Sequence, residues 1–290
     1  MIKRHYIPGE QWAYFKIYAG NSTSEEILIK EIKDVLENVI QSKLVSQFFF
    51  VRYADPCFHL RLRFKLNDIS YFSNIVSCIN EALHRRVVNG SITKIQIDTY
   101  SRELERYGGS MIETTEELFW IDSMAIMDIL PIISQTYFDE NRWILALLLI
   151  DSYLKAFEYS NKQKAIFCYS LFEHYKKEYL PNIEAIRKIN KIFRTNKDSI
   201  VHILSRNVND QILDKVICIA EQMSININKL YKRNKAIYKE YDIDYLLAQY
   251  IHMMLNRYFS AKARDHELIL YSLLHKYYIS REHTDEVDHT

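Results

Sequence analysis

The first hundred residues switch between two hydrophobic periods, and the order of those switches limits the fold more than any other feature. Residues 12–18 read WAYFKIY, aromatic and β-branched, which predicts a strand. Ser22, Thr23 and Ser24 offer N-caps, and Ile29, Ile32, Val35, Leu36, Val39 and Ile40 follow at helical spacing to about Ser42. Residues 45–53 and 58–65 predict two more strands joined by a turn at Asp55-Pro56. A helix capped by Asn67 or Asp68 runs to about Val88, Gly90 ends it, and a fourth strand covers residues 94–100. Strand, helix, strand, strand, helix, strand is the ferredoxin-like order, a sheet with two helices on one face.

Beyond Gly109 the pattern is helical. Helices are expected over residues 114–134, where Pro131 kinks or ends the run, then 141–157 and 163–179. Pro181 marks a break. Further helices follow over 183–195, 199–206, 210–234, 242–259 and 266–278. The fold class is therefore α+β. A sheet half over residues 10–110 and a helical half over 111–280 form a single domain of residues 1–280, with a polar, mobile tail over 281–290.

Composition narrows the function classes. Lys plus Arg is 38 against 37 for Asp plus Glu, a net charge of +1, so the chain does not hold nucleic acid by bulk charge, although a local basic pocket remains open. Apolar residues are 48% of the chain, enough for a full core, and only five glycines and four prolines rule out a collagenous or linker-like chain. Four cysteines, Cys57, Cys78, Cys168 and Cys218, form no CxxC pair and are expected as buried reduced thiols. The N-terminus has no apolar signal segment, and the longest apolar run, Trp143 to Ile150, falls short of the roughly 20 residues a membrane span needs. The expectation is a soluble cytoplasmic protein.

Three segments could carry chemistry. In His59-Leu60-Arg61-Leu62-Arg63 the strand period puts His59, Arg61 and Arg63 on one face and Leu60, Leu62 and Phe64 on the other. Two guanidiniums about 7 Å apart along a strand can form an anion site, or can be a solvated, salt-bridged face. In residues 100–109, YSRELERYGG, the double glycine permits a positive φ or a close approach. There Glu103 and Arg106 can pair on one turn in a charged connector, or Arg106 can join the arginines of the neighbouring strand. In IHMMLNR, residues 251–257, His252 and Asn256 share a helix face, as a structural or a catalytic pair. Met253 and Met254 read as core filler. No HExxH, phosphate-binding loop or GxGxxG follows a strand, and the other histidines are scattered, so no metal and no nucleotide is expected.

Taken together, FFFVRYADPCFHLRLRF, DTYSRELERYGG and IHMMLNR, with WAYFKIYAG and LFWIDSMAIM, resemble the elimination domain of class I lantibiotic dehydratases, also known as the thiopeptide-type bacteriocin biosynthesis domain. The resemblance covers about residues 10–260. It implies a lyase that expels glutamate from O-glutamylated Ser or Thr of a ribosomal precursor peptide, leaving dehydroalanine or dehydrobutyrine. The family's glutamylation region is missing here. That implies a split system with a separate glutamylation subunit, no direct tRNA binding by this chain, and compatibility with a homodimer.

Carried over residue by residue, the resemblance assigns Arg61, Arg63, Glu103, Arg106 and His252 to catalysis. Arg52, His59, Tyr107 and Asn256 would bind substrate. The arginines would hold the glutamyl group and stabilise its departure. His252 would act as base, or as the acid serving the leaving group. Glu103 would orient an arginine or take part in proton transfer. No cofactor is needed. Two alternatives stand beside this: a pyridine-forming [4+2] cyclase of thiopeptide biosynthesis, which resembles the same domain, and a non-catalytic subunit that binds a leader peptide, for instance along a sheet edge.

Overall fold

The computed structural model describes the chain except Met1, Gln135, Tyr137, Phe138, Glu140, residues 180–182, Asn207, Val208 and residues 288–290. For residues 282–287 it describes the backbone. The expected break at Pro181 lies outside the described residues. The chain packs as two compact units. One holds Met1–Pro131, Ala236–Tyr241 and Asn256–Ala261, the other Ile132–Lys235, Asp242–Leu255 and Lys262–Thr290.

The first unit is built on a four-stranded antiparallel sheet of β2 (Trp12–Ala19), β3 (Val45–Ala54), β4 (Phe58–Leu66) and β5 (Ile92–Ile97) in the order β3-β4-β2-β5. A short β1 (His5–Tyr6) precedes them and pairs with β6 (Tyr100–Ser101). Helix α1 (Asn21–Ile27) continues through a π-helical turn (Leu28–Ile32) into α2 (Lys33–Gln41). Helix α3 (Phe72–Val88) joins β4 to β5. This is the ferredoxin-like arrangement the periodicity implies.

One sheet face carries Ala13, Phe15, Ile17, Phe48, Phe50, Leu60, Leu62 and Phe64, all fully buried or nearly so. The apolar sides of the helices (Ile32, Leu36, Val39, Ile75, Ile79 and Leu83) are buried as well. Each of the Val, Leu, Ile and Phe side chains among them contributes about 1.5–3 kcal/mol on burial.

Three expectations need correction here. The cap of the first helix is Gly20, not Ser22–Ser24, and no side chain bonds there. The strand expected over 94–100 is two strands, because the Asp98 carboxylate turns back to Thr99 N at 2.7 Å and pairs with Lys16, which ends β5. After that turn, Tyr100 pairs with Tyr6 in the small sheet. Of the cysteines only Cys168 is buried; Cys57 and Cys218 are exposed. Helix α5 (Ile112–Ile133) runs through Pro131 and stops directly after it.

The second unit contains α6 (Arg142–Ala156), α7 (Asn161–Tyr179), α8 (Ile183–Thr195), α9 (Lys197–Ser205), α10 (Gln211–Arg233), most of α12 (Ile243–Tyr258) and α13 (Ala263–Val287). Two short helices, α4 (Leu104–Tyr107) and α11 (Lys235–Tyr238), complete the chain. The Trp143–Ile150 run lies in α6, where Leu145 to Leu149 are wholly buried. No described helix is long and apolar enough to cross a membrane. The last helix extends to Val287, past the expected end at Tyr278, while residues 288–290 of the expected tail lie outside the described residues.

Candidate active site

In the sheet unit the register fixes the chemistry. On the face opposite the core, Tyr14, Lys16 and Tyr18 of β2 stand beside Arg63, Arg61 and His59 of β4, and Phe49, Val51 and Tyr53 of β3 stand on the other side. The expected sharing of one face by His59, Arg61 and Arg63 therefore holds. The face is not solvated, however: His59 is 1% exposed and Arg63 is 8% exposed.

Arg63 is boxed by rings, its guanidinium carbon 4.6 Å from the centre of Tyr14, 4.9 Å from Tyr100 and 5.1 Å from Phe49. Its Nε and Nη1 are buried without a hydrogen-bond partner. A buried cation whose donors are unused is costly, and an entering carboxylate would satisfy it.

Arg61 is held differently. Its Nε donates to His59 Nε2 at 3.0 Å, and its guanidinium lies 3.4 Å from the ring centre of Tyr53. His59 Nδ1 is 2.8 Å from the carbonyl oxygen of Cys57, so Nδ1 carries the proton and Nε2 is the acceptor. Burial holds the His59 imidazole below its ordinary pKa, and Arg61 adds to this against the raising effect of the Cys57 bond. His59 is thus a neutral orienter of Arg61. Lys16, directly across from Arg61 and paired with Asp98, adds a third cation to this face. The hydrogen bond to Asp98 is the main cause that holds the Lys16 ammonium above its ordinary pKa.

The YSRELERYGG segment is anchored by a buried pair. Arg102 meets Glu116 through Nε–Oε1 at 2.7 Å and Nη2–Oε2 at 2.6 Å, and the Tyr100 hydroxyl donates to the same carboxylate at 2.8 Å. Beyond this anchor Glu103 and Arg106 pair at 3.3 Å on the surface side of α4, and Arg106 lies 5.3 Å from the ring centre of Tyr107. Tyr107 is 3% exposed, edge-on to Phe119.

Gly108 closes the segment at φ +77°, ψ 134°, and a side chain there would overlap the ring of Tyr241. Gly108→Ala should therefore cost about 2 kcal/mol or more in stability, read from the urea midpoint. Gly109→Ala, at a position without positive φ, should be much milder.

Arg52 and Asn256 meet at the outer edge of the sheet. The Asn256 amide pairs with both backbone groups of Arg52, accepting from its N–H and donating to its carbonyl at 3.0 Å each. Arg257 Nε donates to the Phe50 carbonyl at 2.8 Å. Side chains thus occupy the free edge of β3 over this stretch. The Arg52 guanidinium is itself buried, donating to Glu25 at 2.9 Å and to the Arg257 carbonyl at 3.0 Å.

His252 belongs to the helical unit. Its Nδ1 is 2.6 Å from Glu267 Oε1, and the Tyr175 hydroxyl donates to Glu267 Oε2 at 2.6 Å. His252 and Tyr175 line a cavity of about 320 Å³ within that unit. Met253 and Met254 are buried, as expected of filler.

Lys16, Asp98, Tyr14, Glu267 and Tyr175 were not singled out by their motifs. The period-two alternation of Tyr14, Lys16 and Tyr18 was the available signal for the strand residues. Glu267 and Tyr175 sit on other helices than His252 and carry no local signal.

Comparison with known proteins places the chain in a family. The family model described as lantibiotic biosynthesis dehydratase C-term matches residues 12–278. The nisin biosynthesis protein NisB of Lactococcus lactis subsp. lactis is 29% identical over 97% of the chain, and the subtilin biosynthesis protein SpaB of Bacillus subtilis is 26% identical over 95%. The chain spans about a quarter of the length of each, 27% and 26%. Among solved structures, the tRNA-dependent lantibiotic dehydratase MibB from Microbispora sp. 107891 superposes with a TM-score of 0.74 at 16% identity, over 94% of this chain and 29% of that one. The pyridine synthase TbtD from thiomuracin biosynthesis superposes with a TM-score of 0.66 at 12% identity, over 93% and 98%. The family match covers nearly the whole of the chain, which therefore belongs to the lantibiotic biosynthesis dehydratase C-terminal family.

Proposed function

We propose that this chain eliminates glutamate from O-glutamylated Ser or Thr residues of a ribosomal precursor peptide. The observation that carries the reading is the guanidinium of Arg63, enclosed by three aromatic rings with two donors unused. It suits a ligand carboxylate that arrives, or forms, during the reaction.

In the elimination a base removes the Cα proton of the esterified residue. The electron pair forms the Cα–Cβ double bond, the Cβ–O bond breaks, and glutamate leaves with a carboxylate where the ester was. Arg61, Arg63 and Arg106 supply fixed positive charge to the glutamyl group as that negative charge develops. His252 takes the proton through Nε2. Glu103 orients Arg106, and His59 orients Arg61.

The pyridine synthase shares the fold, so fold does not separate the two readings. The arginine set favours elimination, since a ring closure between two dehydroalanines expels no glutamate. Strand addition of a leader peptide along β3 is disfavoured at residues 50–52, where Asn256 and Arg257 already take the backbone groups.

The test is incubation of the purified protein with a cognate peptide carrying a chemically installed glutamyl ester, followed by mass spectrometry without tRNA or ATP. The expected result is loss of glutamate and a dehydro residue with wild type, and persistence of the ester with Arg61→Ala and with His252→Ala. If the ester survives wild-type protein, the elimination reading falls, and a peptide bearing two dehydroalanines is offered next to look for ring closure.

A further inference from the structure

Glu267 is 0% exposed and lies on α13 between the buried residues Leu268, Leu270 and Tyr271 and the helices α7 and α12. Among the described residues its ion-pair partner is His252, with no Lys or Arg within pairing distance. A carboxylate in such a place costs more than an apolar residue of similar size would. Its retention therefore asks for a use. The geometry supplies one, because the carboxylate has two oxygens and each is taken by a different donor, His252 Nδ1 and the Tyr175 hydroxyl.

We propose that Glu267 is the positioning residue of His252, holding the imidazole with its proton on Nδ1 and its bare Nε2 as the proton acceptor, and that Tyr175 fixes Glu267 in turn. The inference rests on the reading of His252 as the elimination base.

Nδ1 is engaged by Glu267, which leaves Nε2 as the nitrogen available to a substrate in the cavity that His252 lines. An ionised Glu267 also stabilises the imidazolium that forms when Nε2 takes the proton, as a carboxylate does behind a catalytic histidine elsewhere. Tyr175 is a dependable donor here. Burial, and then the neighbouring Glu267 charge, push its phenol above the ordinary value, so it keeps its proton. Its ring stacks on that of Tyr271, with centres 6.0 Å apart and planes at 18°. The other charged or titratable groups of this cavity are His174, Asp242, Asp244, Tyr245 and Arg264. Of these, Asp244 is bonded by Tyr159, Asp242 caps α12 through Tyr245 N, and Arg264 pairs with Glu178. None of these three is thereby committed to His252.

Glu267→Gln separates positioning from mere packing. The amide keeps the volume but offers one acceptor and one donor. Its oxygen accepts from Tyr175, so its NH2 faces His252 and favours the tautomer with a bare Nδ1 and a protonated Nε2. Expected is a fall in kcat of about 10³-fold, with KM within about threefold, on the glutamylated peptide. The 15N signals of His252 in the full chain should move the proton from Nδ1 to Nε2. Glu267→Asp, which keeps the carboxylate, should retain the Nδ1 proton and recover most of the rate.

Glu267→Gln with a rate within about threefold of wild type and an unchanged tautomer would overturn the proposal. So would a wild-type spectrum with the proton on Nε2. That wild-type spectrum decides the tautomer even if Glu267→Gln does not fold. It also keeps the two ideas apart. Protein that leaves the ester intact but shows the Nδ1 proton refutes elimination and not the Glu267–His252 arrangement.

Discussion

Replacing Arg63 by methionine should abolish most glutamate elimination and at the same time raise the melting temperature. The two effects have one cause. Arg63 is 8% exposed, and two of its guanidinium nitrogens have no partner. The rings of Tyr14, Phe49 and Tyr100 return part of the lost hydration through cation–π contacts, but rings do not satisfy N–H donors.

Methionine follows the same stem without the charge, so the folded protein should gain about 1 kcal/mol. A donor that stabilises charge in the transition state is worth about 10²–10³ in rate, and Arg63→Met should lose at least that in kcat/KM. Arg63→Lys should lie between the two, because an ammonium keeps the charge but not the planar fork that binds a carboxylate at two points. Calorimetry and the elimination assay on the same preparations check both halves. A stabilised, fully active Arg63→Met protein would remove Arg63 from the site, and a destabilised one would mean the arginine serves the fold.

This opposition of stability and function marks where the sequence could be read and where it could not. The alternation in HLRLRF put Leu60, Leu62 and Phe64 into the core and His59, Arg61 and Arg63 on the other face, and all six side chains sit accordingly. Period two and period 3.6 are local properties, so the sheet order followed from them together with the ferredoxin-like connection rule. The boundary errors have equally local causes. Asp98 bonds to its own neighbour and to Lys16, which breaks a β-rich run that composition alone would continue. The first helix is capped by Gly20 without a side-chain bond, although three hydroxyl residues follow it.

The environment of the second face was not legible, because burial there comes from residues distant in the chain. Nothing near residue 63 announces that Tyr100 closes its box, and nothing near residue 252 announces Glu267 or Tyr175. Long-range contacts also decided the role of Arg52. The motif shows a basic residue on a strand. The structure pairs that residue with Glu25 and clamps its backbone to Asn256.

The largest stability effect should come from the helical unit, at Asp151. This carboxylate is 3% exposed on α6. It bonds Lys164 Nζ at 2.6 Å, Arg206 Nη2 at 2.7 Å and the Tyr278 hydroxyl at 2.7 Å, joining α7, the end of α9 and α13. Asp151→Asn keeps the shape but leaves Lys164 and Arg206 without their shared anion. Breaking one side of a buried ion pair costs about 3–5 kcal/mol, and a chain of this size should melt roughly 10 °C lower.

The pH dependence follows from the same contacts. Burial alone would raise the Asp151 pKa, but the nearby charges of Lys164 and Arg206 and the bonds from Lys164 and Tyr278 outweigh it, so the folded value lies below the ordinary carboxylate value. The group binds its proton more readily in the unfolded chain than in the folded one. Its contribution is therefore fully present above the unfolded pKa of about 4 and is lost as pH falls through the lower folded value. Wild type should lose stability along that acid limb, and Asp151→Asn should lack this part of it, being destabilised at neutral pH and comparatively flat below about pH 4. Urea midpoints measured across that window check the sign. An Asn variant that loses stability in acid as steeply as wild type would mean that the acid limb belongs to other carboxylates.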